Sequence, residues 1–222
     1  MAQVLALGDC NMSGDIKFKA NAYAERFSEQ IGKSLTNAGY TMSTTREMLY
    51  FFKDHYGEDC EIVLIQYGLV DSWKTFRYAP YVLYYPDNPL RKICRKLVKK
   101  YKKIAKSLKL NDLLGVESVV PLEEYQENIE KVILSVRTGI VILIDTVPNH
   151  QRFRNDEIVK YNHVLDKLAE QYEHCYKLDI YDLFLEHMDR YYLDETHINE
   201  AGYAMISEKL TLLYRNIYKE NG

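Results

Sequence analysis

A rhythm in the chain constrains its fold most. Short apolar runs rich in β-branched residues alternate with longer segments whose apolar residues recur at helical spacing, the order that a parallel sheet with covering helices produces. The sequence predicts strands over residues 4–7, 34–39, 61–67, 139–145 and 176–180, the second only weakly marked. Helices are expected over 22–33, 44–55, 121–134, 156–172 and 199–218. The expected architecture is an α/β/α layer sandwich around five strands, in one domain spanning 1–222.

Composition removes several other classes. With 47% hydrophobic and 27% charged residues and a net charge of −3, the 222-residue chain is long enough to bury a core and unlike a disordered one. Ten Gly and five Pro, with no repeat of fixed period, exclude collagen-like, linker-rich and solenoid designs. The longest uncharged apolar run, Gly139-Ile-Val-Ile-Leu-Ile144, is about a third of the roughly 20 residues a membrane span requires. The opening Met-Ala-Gln-Val-Leu-Ala-Leu-Gly has no basic n-region, so no secretory signal is read and the cytoplasm is the expected location. Cys10, Cys60, Cys94 and Cys175 lie far apart with no CxxC pair, which fits reduced thiols better than disulfides or a zinc knuckle.

About fifty residues separate the third strand from the helix at Pro121, far more than an ordinary connection, so 72–120 reads as an insertion. Its first half carries Phe76, Tyr78, Tyr81, Tyr84 and Tyr85, which suit either the wall of a sugar or acyl pocket or internal packing. Its second half, from Arg91 to Lys109, holds ten Lys or Arg and no acid, leaving −13 on the rest of the chain. There Cys94, Leu97, Val98, Tyr101, Ile104, Ala105 and Leu108 recur at helical steps, predicting an amphipathic helix with its apolar stripe beneath a cationic face. The face reads as simply solvated, or as a landing surface for anionic membrane or a lipid- or nucleotide-diphosphate-linked sugar. Nucleic acid is not expected as a partner: no binding motif accompanies the charge and the chain is acidic overall.

In open α/β sheets, ligands sit beyond the carboxyl ends of the strands. Gly8-Asp9-Cys10 follows the first strand, Gly68-Leu-Val-Asp71 the third, and Leu193-Asp-Glu-Thr-His197 precedes the last helix. Asp194 and His197, three apart, allow a carboxylate to fix one imidazole nitrogen and make the other a base. A thiol at a strand-to-helix turn beside such a histidine is expected to have its pKa lowered toward neutrality and to act as a nucleophile, which singles out Cys10. The plainer readings are an inert core thiol at Cys10 and a capping aspartate beside a surface histidine at 194 and 197. Ser13 is a rival nucleophile, and no metal-ligand spacing is present.

Gly8-Asp9-Cys10, Gly68-x-x-Asp71, Tyr161-Asn162, Asp179 and Asp194-x-x-His197 ahead of Asn199-Glu-Ala-Gly-Tyr203 together resemble the SGNH/GDSL hydrolase family. The resemblance spans the chain. It implies a flavodoxin-like fold and esterase, deacetylase or acyltransferase activity without metal or other cofactor. Cys10 then stands at the nucleophile, His197 is the base and Asp194 orients it, with Asp9 beside the nucleophile. The segment Gln66-Tyr-Gly-Leu-Val-Asp71 is similar to divergent members encoded with bacterial surface-polysaccharide genes, which implies an acylated, sugar-bearing substrate.

Two departures bear on the oxyanion hole. Besides serine replaced by cysteine, Val70 stands where the family has an Asn donor, and Met42 aligns with its glycine. A backbone N–H survives such a change, whereas a lost side-chain donor costs roughly 10²–10³ in rate. Asn11, Ser43, Ser72 or a residue of the insertion are candidate substitutes; Gly68, Asp71 and His150 are further pocket candidates, Asp71 also reading as a structural acceptor at its strand end. An acyl-cysteine is a thioester, so transfer competes with hydrolysis in the enzyme reading. A catalytically weak protein that binds a glycan or protein partner through the insertion is the other reading, favoured by Val70.

Overall fold

The computed structural model describes residues 2–14 and 21–220. The chain begins β1 (Val4–Gly8), α1 (Cys10–Ser13), α2 (Tyr23–Gln30), β2 (Leu35–Asn37), α3 (Thr45–His55) and β3 (Ile62–Gln66). The long insertion contributes β4 (Lys74–Phe76), α4 (Pro89–Ser107), α5 (Leu110–Leu114) and β5 (Val116–Ser118). The chain closes with α6 (Leu122–Ser135), β6 (Ile140–Ile144), α7 (Asn155–Gln171), β7 (Cys175–Leu178), α8 (Tyr181–Glu186), α9 (Met188–Tyr191) and α10 (Glu200–Glu220). None of the described helices is long and apolar enough to cross a membrane, and all four cysteines are free thiols.

Five strands form a parallel sheet in the order β2-β1-β3-β6-β7, the flavodoxin-like order. Its strands are apolar at nearly every position because successive side chains enter two different cores. Leu5, Leu7, Val63, Ile65, Val141 and Leu143 pack with α3, α6 and α7, while Val4, Ala6, Ile62, Leu64, Ile142 and Ile144 pack with α2 and α10. From β1 the chain goes first to one side and then to the other, so the crevice at the carboxyl ends of β1 and β3 is the topological switch point. Asp9-Cys10-Asn11 and Gly68-Leu-Val-Asp71 both emerge there.

β2 is shorter than the expected strand, yet Ala38 N–H and Tyr40 N–H still donate to Ala6 O and Gly8 O at 2.8 and 3.0 Å. These bonds bind the loop after β2 to the edge of the site. α3 starts with a capping box: the Glu47 carboxylate accepts from the Thr44 N–H at 2.9 Å and its hydroxyl at 2.7 Å.

The insertion stands on an antiparallel pair that the sequence did not reveal, Lys74↔Ser118 to Phe76↔Val116. Glu47 also fastens it to α3, accepting from Tyr81 Oη at 3.0 Å and Tyr84 N–H at 2.7 Å, while Tyr85 stacks on Phe51 with ring centroids 4.0 Å apart. α4 is helical as expected, but its apolar stripe is not beneath it. Of the described α4 residues only Ala105 is buried, and Arg95, Lys99 and Lys102 line a cavity open to solvent while Leu97, Ile104 and Leu108 are exposed. The expected stripe is split: Ala105 and Val98 turn inward and Tyr101 meets Phe76 edge-on, while the larger Leu97, Ile104 and Leu108 stay outside.

Candidate active site

The carboxyl ends of the strands assemble the site from three loops. The first turn after β1 is short because Asp9 caps α1, accepting the Asn11 N–H at 3.0 Å. Asn11 then reaches the loop before α10: its amide donates to Thr196 O at 3.4 Å and its Oδ1 accepts from Ile198 N–H at 3.2 Å. This clamp brackets His197 and brings it beside residues 9–11. The His197 Nδ1 lies 2.8 Å from Asp194 Oδ2, and Asp194 Oδ1 accepts from the N–H groups of Thr196 and His197, both at 2.8 Å. Partial burial pushes the Asp194 carboxyl up, but those bonds outweigh it and hold the group below its ordinary value. With Nδ1 committed, Nε2 is the nitrogen left to take a proton.

Cys10 is nearly buried against Leu69 and Ile158. Burial pushes its thiol well above the ordinary value, and the adjacent Asp9 charge adds to the rise; the N–H groups of Cys10 and Asn11 offset only part of it. This reverses the expected depression, because desolvation outweighs the helix N-terminus. Burial pushes Asp9 up to about 6 in spite of the Asn11 N–H and the charge of His197. Asp9 and Cys10 also share a side-chain hydrogen bond.

The remaining candidates have definite places. Met42 has φ +66°, left-handed backbone that favours glycine, at the position aligned with the family's glycine. Val70 is buried and lines the cavity. Gly68 has φ +133°, and a Cβ there would lie 2.5 Å from Thr146 Oγ1, which itself donates to Tyr67 O at 2.9 Å. Asp71 is fully buried and accepts the Thr45 N–H at 2.9 Å and its hydroxyl at 2.8 Å, capping α3; burial pushes its carboxyl up to about 7.

Three side chains weighed as oxyanion donors are otherwise engaged: Asn11 in the clamp, Ser43 with Gly8 O and Tyr40 O, and Ser72 with Leu69 O. The Ser13 hydroxyl turns back to Cys10 O at 3.0 Å. His150 is exposed, edge-on to Tyr192, and its N–H donates to Glu195 O at 3.0 Å.

Its neighbour Asn149 escaped the sequence reading. Asn149 is buried and donates to Thr196 Oγ1 at 3.1 Å, so the loop after β6 braces the histidine loop from the far side. Position alone, at the end of the strongest strand, was the available signal.

A cavity of about 590 Å³ begins at Met42 and Val70 and runs under the insertion. Trp73, Tyr81, Tyr84 and Val98 give it apolar walls, and Lys96, Lys99 and Lys102 bring charge. Of the aromatics flagged in sequence, Tyr81 and Tyr84 wall this cavity, Phe76 and Tyr85 pack internally, and Tyr78 is exposed. Among the described residues no group of three or more His, Cys, Asp or Glu is disposed to hold a metal ion.

A flavodoxin-like sheet whose switch point gathers a thiol, a carboxylate-oriented histidine and a neighbouring cavity is an arrangement compatible with acyl-hydrolase chemistry. Residues 6–205 match the model of the GDSL-like lipase/acylhydrolase family, and the chain belongs to that family of esterase-type hydrolases. No curated protein matches it significantly. Among solved structures it is similar to the lipase/acylhydrolase from Enterococcus faecalis, with 16% identity, TM-score 0.66 and coverage of 97% of this chain and 96% of the other. A lipolytic G-D-S-L protein from Desulfitobacterium hafniense gives 17% and 0.63, covering 94% and 97%. An acetylxylan esterase from Geobacillus stearothermophilus, solved as a catalytic mutant, gives 18% and 0.59, covering 94% and 91%.

Proposed function

We propose that this chain is a cysteine-nucleophile acyl hydrolase or acyltransferase working through an acyl-thioester on Cys10. The observation that carries the reading is the Asn11 clamp, which holds the nucleophile turn against the loop of an Asp194-oriented His197. In the first step the Cys10 sulfur attacks the acyl carbonyl as its proton passes to His197 Nε2. Since burial disfavours a free thiolate, proton transfer accompanies attack, closer to the manner of a serine hydrolase than to a preformed thiolate–imidazolium pair. The Met42 N–H donates to no acceptor among the described residues, and with the Cys10 N–H it would stabilise the oxyanion. His197 returns the proton to the leaving alkoxide. Water, an amine or a sugar hydroxyl then attacks the thioester and gives its proton to Nε2, which passes it to the departing Cys10 sulfur and restores the thiol.

The substrate reading is an acylated, sugar-containing molecule handled in the cytoplasm without a cofactor. Its support is the aromatic and cationic lining of the cavity beside Val70. A second reading, a weak or inactive member that binds a glycan or a protein through the insertion, is favoured by Val70 and by the raised thiol.

p-Nitrophenyl acetate tests the choice. The expected result is a nitrophenol burst with an acetyl group on the Cys10 peptide, absent in Cys10→Ala. In His197→Ala acylation should slow by about 10²–10⁴-fold. Unaltered turnover in Cys10→Ala would sink the assignment, and absence of any acetyl-enzyme in the wild type would favour the binding reading.

A further inference from the structure

We propose that the outer face of α4 is an interfacial anchor that docks this protein on an anionic lipid bilayer. Leu90, Ile93, Leu97, Tyr101, Ile104 and Leu108 follow one another at three- and four-residue steps, so they form one stripe along the helix. All are exposed, from 42% at Tyr101 to 69% at Leu90, and Leu113 extends the apolar surface at 78%. A helix that merely covers a core buries such a stripe. Here the opposite face is turned inward, with Ala105 buried and Val98, Arg95, Lys99 and Lys102 over the cavity. Burial pushes Lys102 down in pKa, consistent with that inward placement.

Charge identifies the occupant. Lys100 and Lys103 are exposed along one flank of the stripe and are not part of the cavity lining. Their long stems can lie along apolar surface while the ammonium groups sit at head-group level. The segment from Arg91 to Lys109 carries ten cations and no acid, while the rest of the chain carries −13. A second copy docked through the same face would oppose the exposed Lys100 and Lys103 to like charges. A bilayer containing anionic lipid offers what both halves of this surface require: an apolar phase for the stripe and negative charge at its border. With no described helix able to cross a membrane, the contact is in-plane. Since α4 is also a wall of the cavity, docking would bring that cavity to the lipid surface.

The proposal stands independently of the chemistry at Cys10, and vesicle flotation of the full chain tests it. Binding to vesicles of mixed phosphatidylglycerol and phosphatidylcholine should exceed binding to phosphatidylcholine alone by about tenfold or more and fall with added salt. The triple variant Ile93→Ser, Leu97→Ser, Ile104→Ser should lose about tenfold in binding while its thermal midpoint stays near that of the wild type. A second variant, Lys100→Glu, Lys103→Glu, keeps the stripe and should lose the preference for anionic lipid. The proposal is overturned if the wild type does not float with mixed vesicles or if the serine variant binds as well as the wild type. It is also overturned if sedimentation shows a dimer that the serine variant dissociates.

Discussion

Asp9 and Cys10 pose the central problem at the scale of single residues, because the carboxylate makes the thiol harder to ionise while the thiol's hydrogen bond favours the carboxylate. The thiol is nearly buried, and the neighbouring carboxylate raises its pKa further. Alkylation of the resting protein by iodoacetamide should therefore be slow at Cys10, comparable with buried Cys60 and Cys175, whose thiols burial also pushes up. Replacing Asp9 by Asn keeps an oxygen to cap α1 and removes the charge, so Cys10 in Asp9→Asn should be alkylated faster at pH 8 than in the wild type. Mass spectrometry of the Cys10 peptide reads the rates. An unchanged rate, or a wild-type Cys10 that reacts as fast as a free thiol, would contradict this account of the pair. The contact between Asp194 and His197 was legible in the sequence because the two are three residues apart, and the turn at Gly8-Asp9-Cys10 because it is contiguous. The direction of the thiol's shift was not. It depends on Leu69 and Ile158 arriving from distant parts of the chain.

At the scale of elements, the N-terminus of α3 is where the site and the fold meet. Asp71, from the loop after β3, caps Thr45, while Thr44 and Glu47 close the capping box one residue earlier. The Asp71 carboxyl titrates near 3.8 when unperturbed and at about 7 in the folded protein. Between those values the unfolded chain releases the proton first. Stability is thus highest below the ordinary carboxylate range and declines as pH rises through about 7, with Asp9 acting in the same sense up to about 6. Urea unfolding of the wild type should show this fall between pH 5 and pH 8. Asp71→Asn should flatten it by on the order of 1–2 kcal/mol, whereas an equally steep decline in that variant would mean Asp71 is not its source. Elements were legible where pattern was long. The strands at 61–67 and 139–145 and the helices around 121–134 and 156–172 were found to within a residue or so, since each repeats its period several times. β4 and β5 have three residues each and no alternation to read, and they exist because each supplies the other's hydrogen bonds. The helical period of α4 was equally plain, but which face turns inward is a tertiary property.

For the whole molecule, the sheet and its two cores form the body, and the insertion is a cationic layer attached to an acidic remainder. Its attachment is concentrated. The structure ties it to the body through Tyr81 and Tyr84 on Glu47, the Tyr85–Phe51 stack and Lys74 with Glu157 at 2.8 Å. Glu47 is fully buried, so in Glu47→Ala the N–H groups of Thr44 and Tyr84 lose their acceptor. A buried donor left unsatisfied costs about 1–3 kcal/mol. That loss falls on the junction rather than on the sheet, so the insertion should open locally more often than the body unfolds. Trypsin reports this directly, because ten of its target residues lie from Arg91 to Lys109. In Glu47→Ala, cleavage within that segment should accelerate by about tenfold or more relative to the wild type, for roughly 1.4 kcal/mol or more of lost docking free energy. The thermal midpoint should fall by only a few degrees. If cleavage instead rises only in proportion to global unfolding, body and insertion form one cooperative unit, and the Glu47 contacts stabilise the whole chain rather than the attachment of α4.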